Sequence, residues 1–125
     1  MKKIFLICPV RKDDPVIQEK IERYVKKLEE DGYKVYWPKR DTEQDDPTGG
    51  YMICWANFQT MSDAEEVHIW YDESSNGSKF DMGGLFMLKK ILSWRFRIII
   101  ANLKEAEALD IKEKSFLKVM KHLTG

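Results

Sequence analysis

Lys3-Ile4-Phe5-Leu6-Ile7-Cys8-Pro9 opens with an apolar run that no polar residue interrupts and that a proline ends. A strand with one wet face alternates apolar and polar side chains, so an unbroken run reads as a strand buried on both faces, the kind found in parallel sheets covered by helices. The next segment supplies such a helix: Asp14-Pro15 gives an N-cap and a first-turn proline, Ile17, Ile21, Val25 and Leu28 recur at helical spacing, and Gly32 closes it. Tyr33 to Trp37 reads as a second short strand stopped by Pro38, and residues 40–50 as an acidic loop containing Asp41, Glu43, Asp45 and Asp46. Tyr51, Cys54, Trp55, Phe58 and Met61 mark one face of a second helix, Val67 to Tyr71 a third strand, and Ser74 to Ser78 a turn. A third helix is expected over 79–92, a fourth strand over 97–101 and a last helix over 112–123, and residues 103–111 could add a short fifth strand.

Strands and helices alternate, and short apolar strands joined by helices imply parallel pairing through right-handed crossovers. The class expected is α/β: a three-layer sandwich around a small parallel sheet in the flavodoxin-like order 2-1-3-4(-5), one domain over residues 1–125. Functional groups then belong at the C-terminal ends of the strands, with a crevice between strands 1 and 3. Cys8-Pro9-Val10-Arg11 and the segment Asp72 to Asp81 meet there.

Composition removes several function classes. The 125 residues hold 21 Lys and Arg against 21 Asp and Glu, so the basic field of a nucleic-acid binder is missing. No apolar run approaches the roughly eighteen residues of a membrane span. The first residues are too short for a signal peptide, and a cytoplasmic protein is expected. Cys8 and Cys54 read as free buried thiols. His68 lies mid-strand as a structural residue, and two cysteines and two histidines build no metal cluster. The glycines form neither G-x-G-x-x-G nor a Walker A pattern, so neither metal nor cofactor is expected. Met82, Leu85, Phe86, Met87, Leu88, Ile91 and Leu92 exceed one apolar stripe, and the excess suits a subunit interface in a homo-oligomer.

The segment Ser74-Ser75-Asn76-Gly77-Ser78-Lys79-Phe80-Asp81 carries most of the chemistry. A polar turn leading into a helix presents free backbone N–H groups that bind phosphate, with Ser75 and Ser78 as added donors; the same serines can equally be plain caps. Asp81 is expected to feel the positive helix end and stay ionised at neutral pH, which suits nucleophilic attack or oxocarbenium stabilisation better than proton donation.

Gly77-Ser78-Lys79-Phe80-Asp81-Met82-Gly83 resembles the Gly-Ser-x-Phe-Glu-(Ile/Leu)-Gly signature of nucleoside 2-deoxyribosyltransferases, whose glutamate attacks the anomeric carbon. Asp81 stands at that glutamate, one methylene shorter. Ser75 and Gly77 are similar to the Ser-x-Gly-x-x-Tyr-Glu-Leu-Gly turn of the related deoxynucleoside 5'-monophosphate N-glycosidases, where the serine binds phosphate. Arg11 is placed like that subgroup's first-loop arginine, and Asp63-Ala64 is similar to the family's Ala-Asp region. The family's Asn-Asp pair on the second helix is here Asn57-Phe58, so a different acid is needed, with Asp72 and Asp41 as candidates. The resemblance implies a nucleoside or 5'-monophosphate substrate, Arg11, Ser75, Gly77, Ser78 and Asn57 as binding residues, transfer or hydrolysis at the N-glycosidic bond, and a homo-oligomer. The rival reading is a non-catalytic nucleotide-binding or regulatory module. A receiver-like phosphorylation domain would need an acidic pair where Cys8-Pro9 stands.

Overall fold

The computed structural model describes residues 2–10, 14–92 and 96–124. Its elements in order are β1 (Lys3–Ile7), α1 (Pro15–Glu30), β2 (Lys34–Tyr36), α2 (Pro38–Asp41), α3 (Tyr51–Ser62), β3 (Glu66–Ile69), α4 (Asn76–Ile91), β4 (Arg97–Ile100), α5 (Leu103–Leu109) and α6 (Phe116–Thr124). The four strands form one sheet in the order β2-β1-β3-β4, all pairs parallel, with Phe5 opposite Tyr36 and Val67, and Val67 opposite Ile98. Both the class and the strand order match the reading of the sequence.

Side chains from Ile4 to Cys8 are all buried and point alternately to the two faces of the sheet, as a central strand covered on both sides requires. Ile4, Leu6 and Cys8 pack with Ile21 and Val25 of α1, with Val35 and Trp37 after them on the β2 side, and with Trp70. Phe5 and Ile7 face the other way, into Met61 of α3, Met82, Leu85 and Leu88 of α4, and Leu117 and Met120 of α6. The sheet is thus the middle of three layers. No described helix is long and apolar enough to cross a membrane.

The fifth strand does not form. Residues 103–109 are the helix α5, with Leu103 and Ala106 packed inward. The reason lies one residue earlier: the Asn102 side chain accepts the Tyr71 N–H (2.8 Å) and donates to the Tyr71 carbonyl (2.9 Å), imitating a paired strand where β4 runs out. Three boundaries also shift. α4 starts at Asn76 because Ser75 caps it, α6 starts only at Phe116, and Trp37-Pro38 turns directly into α2. The acidic loop is tied to α3, since Asp46 accepts the N–H groups of Thr48 (2.7 Å) and Ile53 (3.1 Å).

His68 is structural, as expected, but it belongs to a buried relay between β3 and α1. Its Nε2–H donates to Glu66 Oε1 (2.8 Å), Tyr24 O–H donates to Nδ1 (2.6 Å), and Lys2 Nζ reaches Glu66 Oε2 (3.1 Å). The carboxylate can only accept, so the neutral ring must carry its proton on Nε2. Burial pulls the His68 pKa below 6.5 despite the neighbouring Glu66, while for Glu66 burial is outweighed by the bonds from His68 and Lys2, and its pKa is lowered. Both shifts mean that the unfolded chain takes up protons more readily, so the relay's contribution is complete above about pH 6.5 and is lost on acidification. Because His68→Gln removes this linkage alone, the melting-temperature advantage of wild type over the variant should narrow from pH 7.5 to pH 5.5 in a thermal melt series.

Candidate active site at the C-terminal ends of β1 and β3

The turn before α4 satisfies itself. Asp72 Oδ1 accepts both the N–H and the hydroxyl of Ser74 (2.9 and 2.6 Å), and Ser75 N–H bonds to the Asp72 carbonyl (3.1 Å). Ser75 Oγ accepts the Ser78 N–H (3.2 Å) and donates to Ser78 Oγ (2.9 Å), with both serines buried. The hydroxyls are therefore engaged in capping, as the plainer of the two sequence readings has it. What faces outward is backbone: Asn76 and Gly77, exposed in the first helical turn, where N–H groups have no intrahelical acceptor. A Cβ on Gly77 would meet no atom within 4 Å, so the approach is open.

Asp81 lies on the side of α4 that carries the buried Ser78, Met82, Leu85 and Leu88. Packing of that stripe against the sheet takes the carboxyl with it, and it has no hydrogen bond or ion pair among the described residues. Burial alone pushes its pKa up to about 7. This corrects the expectation of a firmly ionised carboxylate. Asp81 is the sixth helical residue, beyond the first turn in which the helix dipole acts, so desolvation outweighs it. A carboxyl poised between its two forms near neutral pH can serve as nucleophile, base or acid, and an unpaired buried one is costly to keep.

Its surroundings are Cys8, at the exit of β1, and Cys54 of α3, whose thiols both feel the Asp81 charge. Burial, and then Asp81, raise the Cys8 pKa to about 12, which makes this thiol an inert wall rather than a nucleophile. On its other side Cys8 meets Trp37. The indole N–H lies close enough to the sulfur to favour a thiolate, yet it lacks the geometry of a hydrogen bond to any acceptor. Lys39 also acts on Cys8, and its Nζ stands 6.0 Å from the Trp37 ring centre. Neither Trp37 nor Cys8 was among the site residues read from the sequence, although Trp37 precedes Pro38 at a strand's C-terminal end, where α/β folds place their ligands.

The remaining candidates separate. Asp41 accepts the Trp37 N–H (2.8 Å) and two bonds from Arg40 (2.8 and 2.9 Å); these outweigh burial and lower its pKa. It lines a cleft with Lys3, Lys34 and Asp63, at the N-terminal ends of the strands, and so is held ionised away from Asp81. Asn57 is buried on α3, where its Oδ1 accepts the Thr42 hydroxyl (2.7 Å), itself bonded to Tyr36 Oη (2.7 Å). That places it as a brace of the acidic loop. Asp72 stays at the strand ends but faces a cavity shared with Ile17, Trp70, Tyr71 and Asn102. Arg11 lies outside the described residues.

Between α3 and α4 runs an open apolar groove of about 760 Å³, lined by Trp55, Phe58, Phe80, Met87 and Ile91 among others, and by Cys54, which joins it to the Asp81 neighbourhood. α3 and α4 approach at Gly84, where an added Cβ would stand in ordinary contact with the Phe58 ring, 3.7 Å away. Trp55 and Phe58 stack with ring centres 6.1 Å apart.

Comparison with protein-family models, with curated proteins and with solved structures finds no match to this chain.

The raised Asp81 pKa has a thermodynamic consequence. Folded Asp81 keeps its proton up to about pH 7, whereas an aspartate in the unfolded chain releases it near 3.8, so its contribution to stability is lost as pH rises through that window. Asp81→Asn should therefore stabilise the fold at pH 8, by up to about 4 kcal/mol for the full shift and less to the extent that solvent screens this half-buried group, and much less at pH 4. Urea denaturation of both proteins at the two pH values measures the difference.

Proposed function

We propose that this protein cleaves or transfers the N-glycosidic bond of a (deoxy)nucleoside or its 5'-monophosphate, in the manner of the nucleoside 2-deoxyribosyltransferases that its α4 motif resembles. The observation that carries the reading is Asp81: a half-buried carboxyl with no hydrogen bond or ion pair among the described residues, beside the end of the central strand and one and a half turns below an open helix start. In the reaction proposed, ionised Asp81 attacks the anomeric carbon and the C–N bond electrons leave with the base, which takes a proton from an acid. Water or a second base then attacks the same carbon and releases the carboxylate. Asp72 is the acid candidate retained, since Asp41 is tied to Arg40. A 5'-phosphate would meet the backbone N–H groups of Asn76 and Gly77, with Arg11 as its cation. The fully engaged Ser75 and Ser78 favour the second reading, a nucleotide-binding module without turnover.

Because the nucleophile must be ionised, kcat/KM for base release should rise tenfold per pH unit below about 7 and level off above it, and Asp81→Asn should abolish release. Chromatography of free base from a nucleoside and nucleotide panel decides this. A rate that falls above pH 7 would assign Asp81 to acid catalysis instead. No release from any substrate, with binding intact, would leave the module reading.

The α3–α4 groove would be covered by a second copy of the chain. Tyr51, Trp55, Phe58, Phe80, Met87, Ile91 and Leu92 all line it and stay exposed. A run of seven large apolar side chains shared by two helices, four of them aromatic, has the composition of an interface core. Light scattering should give twice the 14.8 kDa chain mass or a higher multiple, and Met87→Lys should reduce it to one chain. A monomer at micromolar concentration would remove the proposal.

A further inference from the structure

We propose that Tyr24 is a one-electron donor that passes its proton to His68, with Trp70 carrying the electron out to the cavity beyond the ends of β3 and β4; this is an activity separate from the glycosidic one. On the face of the sheet that α1 covers, β1 contributes Ile4 and Leu6, and their partners across the β1–β3 pairing are Glu66 and His68, both buried. Apolar side chains there would close the layer as well, and a buried polar chain gains little stability over them. The chain is complete all the same. Tyr24 O–H donates to His68 Nδ1 at 2.6 Å, His68 Nε2–H donates to Glu66 Oε1 at 2.8 Å, and Lys2 Nζ reaches the other carboxylate oxygen at 3.1 Å.

These bonds are what a tyrosine needs in order to lose an electron. Burial, and then the Glu66 charge, push the Tyr24 pKa up to about 12, so the phenol is neutral, and a neutral phenol that gives up an electron becomes a strong acid whose proton must leave with it. His68 is the acceptor at hand. Burial lowers its pKa below 6.5, so the ring is neutral at neutral pH and Nδ1 keeps a lone pair along the Tyr24 hydrogen bond. The imidazolium formed by the transfer donates from both nitrogens, to the Tyr24 oxygen and to Glu66, whose carboxylate offsets the new charge. A path outward is present too. The Trp70 ring meets the Tyr24 ring edge-on with centres 5.9 Å apart, and Trp70 lines a cavity of about 310 Å³ whose walls of Ile17, Ala106 and Leu109 suit an organic molecule. Cavity, indole, phenol, imidazole and carboxylate stand in one series. An organic radical in the cavity takes one electron from Trp70 and becomes its anion, Trp70 takes one from Tyr24, and the Tyr24 proton moves to His68; one electron and one proton are displaced, and no bond between heavy atoms changes.

Pulse radiolysis with azide radical, which oxidises tryptophan and is itself reduced to azide, reads the transfer as tryptophanyl absorbance giving way to tyrosyl absorbance. Wild type should show a first-order phase whose rate does not depend on protein concentration, and Trp70→Phe and Tyr24→Phe should each remove it. His68→Gln keeps an oxygen that accepts the Tyr24 O–H but cannot hold a proton, and it should slow the phase by about a hundredfold, the lower end for a positioned proton acceptor. Absence of the phase in wild type, its persistence in Tyr24→Phe or Trp70→Phe, or a His68→Gln rate equal to that of wild type would each overturn the inference. Wild type in heavy water keeps the test open where His68→Gln fails to fold: the phase should slow there, and an unchanged rate would overturn the inference as well.

Discussion

Everything else in this molecule is arranged around the complete burial of β1. From Ile4 to Cys8 the strand has almost no contact with water, and a strand can be dry on both faces only if helices cover each of them and its backbone pairs on both edges. That demand places α1 on one side, α3, α4 and α6 on the other, and β2 and β3 at the flanks. It also brings three chain exits to one rim: Cys8-Pro9 after β1, Trp37 after β2 and Asp72 after β3.

At that rim two physical effects compete over a single carboxyl. The start of α4 is positive and would lower an acid's pKa, but the effect fades within a turn, while the packing that holds α4 to the sheet extends along its whole inner face. Asp81 falls where packing dominates. The same inner face buries Ser75 and Ser78, and a buried hydroxyl must find a partner, so the two find each other. The backbone of the first turn, not the serine side chains, is what remains available. Burial thus sharpens Asp81 and takes the serines out of use at once.

The opposite problem arises on the outer sides of α3 and α4. These helices carry more apolar residues than one sheet face can absorb, because Met61 on α3 and Met82, Leu85 and Leu88 on α4 already fill the core. The surplus lies in water as a continuous aromatic and aliphatic surface reaching Cys54 and, through it, the neighbourhood of Asp81. Any molecule that covers this surface also alters the dielectric around the carboxyl.

The class, the strand order and most element positions were legible in the sequence, since an unbroken apolar run, a proline after a strand and apolar residues at helical spacing each act through local geometry. Asp81 and the turn before it were legible for the same reason, as one motif in contiguous residues. Three things were decided only by the tertiary structure. Asn102 ends the sheet by binding the backbone of Tyr71, thirty-one residues away, a pairing no local pattern shows, although the helix after it was legible, since Leu103 to Leu109 is built only of strong helix formers. Asp41 and Asn57 looked chemically free because their partners, Arg40 beside Trp37 and Thr42 across the loop, become partners only when α2 folds back along β2. The protonation of Asp81 depends on how much water is excluded where β1 and α4 meet, and solvent exclusion is a property of packed elements that no single segment carries.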